Sequence, residues 1–155
     1  MLINSSAEFL SKLPAHSRLL GLDVGEVTIG LALSDVMRSI ATPYATIERK
    51  KFTRDMEELK KIIAAQSVSG LVIGYPINMD GSLGPRTQST RTFVSTMSKH
   101  IALPMLFWDE RMSTMAVERT MLAADLSRAR RDQLVDKLAA SYMLQGFLDG
   151  SKNLC

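Results

Sequence analysis

Three acidic positions stand out by what surrounds them. Asp23 lies inside "LLGLDVGEVTIGLALSD" (19–35), a run otherwise apolar enough for a buried strand. Asp109 and Glu110 follow directly on the apolar run "LPMLFW" (103–108). Asp136 sits within "DQLVDKLAASYMLQGFL" (132–148), where helical spacing sets it near Ala139 and Ala140, side chains small enough to admit a backbone or an ion. Burying a carboxylate without compensation costs several kcal/mol, so each asks for a partner. Three carboxylates with no histidine or cysteine form a hard-oxygen set, suited to Mg²⁺ or Mn²⁺ rather than zinc. Two such ions about 3.5–4 Å apart clamp the attacking and leaving oxygens of a phosphodiester. The cations also cancel the repulsion that otherwise raises the carboxylate pKa values.

Each acid has a plainer reading taken singly. Asp23 can cap the turn at Gly25, and Asp109 can cap a following helix. Glu110 can pair with Arg111, and Asp136 with an arginine of the 128–131 cluster. Taken together, those readings must explain acids at two strand ends and on one helix, so a shared site is the stronger reading.

The elements that must bring them together are legible as changes of period. Leu19–Val24 reads as a strand with Leu20, Leu22 and Val24 on one face and Asp23 on the other. After Gly25-Glu26 the alternation continues, with Val27, Ile29, Leu31 and Leu33 opposite Thr28, Gly30, Ala32 and Ser34. This hairpin should leave open space over its small, polar face. Ile40–Ile47 reads as a third strand, kept at an edge by Pro43. A helix capped by Thr53 carries Met56, Leu59, Ile62 and Ile63. "GLVIGY" (70–75) has the continuous apolar character of a parallel strand covered on both faces. The loop "PINMDGSLGP" (76–85) ends in Pro85, which suits the first turn of a helix reaching Lys99. Residues 103–108 form a fifth strand. Helices are expected over Ser113–Ala124 and over Arg128–Leu148, the latter stopped by Gly150. The sum is an α/β fold, a five-stranded mixed sheet flanked by helices. In such sheets, sites form outside the carboxyl ends of the parallel strands, where two of the acid groups stand.

At 155 residues the chain suits one domain, here taken as 18–150, with an N-terminal extension (1–17) and a short C-terminal tail (151–155). A short helix near Ala7–Leu13, capped by Ser5 or Ser6, is expected in the extension. No run approaches the roughly 18 apolar residues of a membrane span, and the first residues lack the features of a secretion signal. The single cysteine, Cys155, excludes an internal disulfide and a cysteine-based zinc site. A cytoplasmic location is therefore expected, with no membrane partner. Net charge is only +3, but "ERKKFTR" (48–54) and "SRARRDQ" (127–133) gather basic residues as candidate phosphate contacts.

Four ordered blocks carry a resemblance. "GLDVGEVTIGLALSD", "GLVIGYPINMDGSLGPR", "WDERMST" and "VDKLAASYMLQGFLD" resemble those of the YqgF family, relatives of RuvC-type Holliday junction resolvases, over roughly residues 18–150. The resemblance implies a ribonuclease H-like fold and a nuclease that matures the 5′ end of precursor 16S ribosomal RNA. It makes Asp23, Glu110 and Asp136 the catalytic acids and ligands of one or two Mg²⁺ or Mn²⁺ ions, with Asp109 and Asp132 as further candidate ligands. Arg111 becomes the basic companion of the acids. Asn78, Asp80 and Gly81 fall in the family's substrate loop. Arg86 and Arg91 are candidate contacts to the nucleic-acid backbone, as are Arg128, Arg130 and Arg131. One departure stands out: relatives carry basic residues soon after Gly25, where this chain has "EVT" and so a negative charge at Glu26.

The expected partner is nucleic acid, either precursor ribosomal RNA, with ribosomal particles around it, or branched DNA. A monomer or a homodimer is expected, and resolution of a DNA junction by symmetric cuts needs the homodimer. Two rivals are a non-catalytic RNA-binding assembly factor and a nucleotide-binding module like those of sugar kinases. An intact acid set argues against the first, since carboxylates repel phosphate. The second closes two such domains on a nucleotide, and this length provides one.

Overall fold

The structure, a computed structural model, describes residues 1–78, 80–109 and 128–151, and of 128–137 the backbone alone. Its elements in chain order are β1 (Leu2–Ile3), α1 (Ser6–Ser11), β2 (Arg18–Val24), β3 (Thr28–Ser34), β4 (Ala41–Glu48), α2 (Phe52–Gln66), β5 (Val68–Tyr75), α3 (Pro85–Met97), β6 (Met105–Asp109) and α4 (Arg128–Ser151). Among the described residues one mixed sheet holds all the strands, in the order β1-β6-β5-β2-β3-β4. The expected helix over Ser113–Ala124 lies outside the described residues.

The sheet separates two cores. On one face Leu20, Leu22, Ile29, Leu31, Leu71 and Ile73 meet Met56 and Leu59 of α2 and Phe93, Val94 and Met97 of α3. On the other, Leu19, Ala32 and Val72 meet Ala140, Met143, Leu144 and Phe147 of α4, with Phe9 of α1 beside them. β2 and β5 are central and parallel, in register at Leu22↔Ile73, and their apolar runs are buried on both sides. β4 is an edge strand, and its ladder with β3 shifts register between Leu31 and Ala32, opposite Pro43.

Four expectations change. The sheet has six strands, not five, because Leu2 and Ile3 pair in parallel with Met105 and Leu106. The small face of the β2–β3 hairpin is not open: α4 lies across it, and a Cβ on Gly21 would stand 3.0 Å from Leu144 Cβ. The smallness there admits a helix at close range rather than a ligand. Helix α2 begins at Phe52, with Lys51 as its N-cap making no side-chain cap bond, so Thr53 lies inside the first turn. Asp55 reaches back to the residue before the N-cap, accepting from Lys50 N–H at 3.2 Å and fixing the entry to the helix. Finally, α4 runs through Gly150 to Ser151. Gly146 and Gly150 form a seat for the Trp108 ring, where added Cβ atoms would lie 3.3 and 3.2 Å from the indole.

Candidate active site

The carboxyl ends of β2, β5 and β6 form one rim. Register places Asp23 beside Gly74 and Trp108, and Asp109 one residue further along, opposite Tyr75. Two strand spacings, about 10 Å, separate the backbones of β2 and β6, with β5 between them. Strand alternation then divides the two aspartates between faces. Asp23 shares the α4 face with Trp108, and Asp109 shares the α2–α3 face with Val24 and Phe107.

Asp23 is held firmly. Its backbone pairs with Gly30 across the hairpin, and its side chain is only 10% exposed. Arg86, in the first turn of α3, brings Nη2 to 3.3 Å from Asp23 Oδ1. The turn that follows is closed by main chain, Gly25 N–H donating to Thr28 O at 2.8 Å. An arginine here answers the cost of sinking a carboxylate at the strand end, and it brings a cation to the site.

The loop leaving β5 rises from the same rim. Its ends pair at Ile77 and Leu83. Gly81 takes φ 90°, a conformation that favours glycine, and donates its N–H to Asn78 O at 2.8 Å. Asp80 accepts from Ser82 N–H at 2.9 Å and from Ser82 Oγ at 2.6 Å. Those bonds, the side-chain one foremost, hold its carboxyl below the ordinary range. Asn78 Nδ2 donates to Ser82 Oγ at 3.0 Å and packs against Gly84. Thr87 Oγ1 donates to Pro76 O, tying α3 to the loop. The loop is thus a self-braced turn, and Asp80 is one of its braces. Arg91 is exposed on α3.

Of the other candidate residues, Glu110 and Arg111 lie outside the described residues. Asp132, Asp136, Arg128, Arg130 and Arg131 fall on α4, and their side chains are likewise outside the described set. The described part of α4 follows the expected stripe, with Ala139, Ala140 and Met143 buried against the sheet. One residue was visible in the sequence only as a member of a basic cluster. Arg49 donates from Nη1 to Gly25 O at 2.6 Å, directly behind the Asp23 turn. A carbonyl partner leaves no mark on a sequence.

A family model described as RuvX, Holliday junction resolvase, matches residues 17–150. The chain belongs to the RuvX family. Two curated relatives of this RuvX chain share the name putative pre-16S rRNA nuclease. One, from Paramagnetospirillum magneticum, is 55% identical over 96% of both chains. The other, from Zymomonas mobilis, is 57% identical over 91% of this chain and 86% of its own. Among solved structures, Thermus thermophilus RuvC in complex with a Holliday junction substrate aligns at TM-score 0.54 and 12% identity, over 88% of this chain and 97% of that one. This likeness concerns the fold: the RuvX chain has the ribonuclease H-like α/β architecture, with a mixed sheet flanked by helices.

Proposed function

We propose that this protein is an endonuclease that hydrolyses a phosphodiester bond of precursor 16S ribosomal RNA at its 5′ end. The observation that carries the reading is Asp23 at the carboxyl end of β2, nearly buried and met by Arg86 at 3.3 Å, in a chain 55% identical to a relative named for that activity. Asp23, Glu110 and Asp136 are the proposed catalytic acids. Glu110 is the proposed acid of the "DER" block, with Asp109 at the end of β6 as a further candidate ligand. Arg111, Arg128, Arg130 and Arg131 are proposed contacts to the substrate backbone.

The donor chemistry fits a hard divalent cation, since all three acids offer carboxylate oxygen alone. Asp23, Glu110 and Asp136 would hold Mg²⁺ or Mn²⁺, with Asp132 as a further ligand. Among the described residues no three histidine, cysteine, aspartate or glutamate side chains group together, and two of the three acids have side chains outside that set. When bound, such ions supply activation of a water and neutralisation of charge at phosphorus. The protein's own part is positional. Strand β2 fixes Asp23 in the rim, and Arg86 fixes the direction of its carboxylate. The planar fork of that arginine is also matched to the non-bridging oxygens of a phosphate, so it serves the substrate when one arrives. No protein nucleophile is needed.

A cut at one RNA end requires one copy of the chain, and the proposed setting is the cytoplasm, on precursor rRNA within ribosomal particles. Cleavage of a 5′-extended 16S precursor and of a synthetic four-way DNA junction, run in parallel with Mg²⁺, with Mn²⁺ and with chelator, tests the reading. The expected result is metal-dependent RNA cleavage that Asp23→Asn abolishes without loss of fold. Undiminished cleavage by Asp23→Asn overturns it, and cleavage of the junction alone moves the substrate to DNA.

A further inference from the structure

We propose that Arg49 is a substrate-positioning residue, and that it and Arg86 hold a phosphate of a single strand running along α3 away from the scissile bond. This rests on the nuclease reading for the identity of the strand, not for the existence of the site.

A cavity of about 290 Å³ opens between the β2–β3 turn and the first turn of α3, lined by Gly25, Glu26, Arg49, Arg86 and Thr90. It adjoins Asp23 through both Gly25 and Arg86. Arg49 is the last residue before α2 whose position the sheet still dictates: its N–H donates to Val27 O at 2.8 Å. Its guanidinium is fixed from two sides, by Gly25 O at 2.6 Å and by the Phe93 ring, 4.9 Å from the ring centroid. A guanidinium carries five N–H donors, and the Gly25 carbonyl takes one. The remainder, preorganised by the stacking, meet the geometry of a phosphate without the entropy cost of ordering a loose side chain. Glu26 and the Asp23 partner of Arg86 balance the two arginines, so a phosphate is drawn by the donor geometry of the guanidiniums rather than by net charge.

A second cavity, of about 420 Å³, continues the first past Arg49 and Ser89 to Phe52, Phe93 and Thr92. Arg49 covers the buried Phe93 ring, so beyond the guanidinium the aromatic within reach is the half-buried Phe52, as phosphate gives way to base along a polynucleotide. A base can reach Phe52 only if it is unstacked, so the groove selects single strand over duplex.

Binding read with chelator present separates this site from catalysis. The probe is a fluorescein-labelled 12-nucleotide oligouridine, titrated by anisotropy across a salt series, against a blunt RNA duplex of the same length. The wild-type protein should prefer the single strand. Arg49→Gln should weaken it about tenfold and flatten the salt slope by about 0.7, the loss of one phosphate contact, while Arg49→Lys keeps the slope but loses part of the affinity with the fork. Glu26→Gln, at an exposed turn, should tighten binding and serves as the second variant if Arg49→Gln fails to fold. A merely structural role for Arg49 leaves the salt slope unmoved. An unchanged slope in folded Arg49→Gln, no tightening in Glu26→Gln, or equal affinity for the duplex overturns the proposal. Cleavage by Asp23→Asn, measured separately, bears on the nuclease reading alone.

Discussion

Carboxylates in this protein do two different kinds of work, and their surroundings tell them apart. Asp23 is sunk at a strand end against a cation, while Asp35 and Asp80 are loop braces satisfied by N–H and O–H donors nearby. Asp35 accepts from Ser39 N–H at 2.7 Å and Ile40 N–H at 2.9 Å, closing the β3–β4 connection. The Ile40 bond above all, with Ser39 assisting, lowers its pKa below the ordinary 3.8. The folded value is therefore the lower one, so the stabilisation is complete above about 3.8 and is lost as pH falls through the folded value. Asp35→Asn should lower the melting temperature at pH 6 and narrow the drop in melting temperature between pH 6 and pH 3, as thermal melts at the two pH values would show. The sequence marks Asp23 well, because a carboxylate in an apolar strand is conspicuous. It marks the brace role of Asp80 poorly, because Asp in a glycine-rich loop reads the same whether it faces a substrate or Ser82.

Elements whose residues repeat with a clear period were legible, and those set by contact were not. The alternation of residues 28–34 defines β3, although Val27, expected in line with Ile29, falls in the turn and is 71% exposed. The apolar run at 70–75 defines the core of β5, which the structure extends to Val68. Small residues misled twice: the small hairpin face suggested open space, and Gly150 suggested a helix stop, whereas absence of a side chain also permits a close neighbour. At Gly21 and Gly150 the neighbour is present, Leu144 in one case and Trp108 in the other. Gly21→Ala sets the contact directly. Its methyl would stand 3.0 Å from Leu144 Cβ and 3.4 Å from Ala140 O, atoms of the α4 scaffold that no rotamer change can withdraw. The expected cost is about 1–3 kcal/mol, read as a lower urea midpoint at unchanged slope. Because α4 also carries Asp136, the same variant should reduce cleavage by more than it reduces the folded fraction.

At the scale of the whole molecule, the first residues are built into the sheet rather than appended to it. Leu2 and Ile3 extend the β6 edge, Met105 N–H donates to Met1 O at 2.8 Å, and Ser5 caps α1 by accepting from Glu8 N–H. Phe9 is fully buried and meets Phe147 edge-on at 5.7 Å between centroids. Phe9→Ala should cost about 3–5 kcal/mol, and with it a melting temperature lower by roughly 2–4 °C per kcal/mol, measurable by calorimetry. A two-residue strand has no period to detect, which is why the sequence showed the helix near residue 7 and not the strand before it. That strand also imposes a timetable on biosynthesis. Its partner leaves the ribosome about a hundred residues later, a delay on the order of ten seconds at ordinary translation rates. Through that interval Ile3, buried in the finished fold, lacks its covering strand, and Phe9 waits longer still, until Phe147 of α4 emerges, so holding chaperones are expected to meet both.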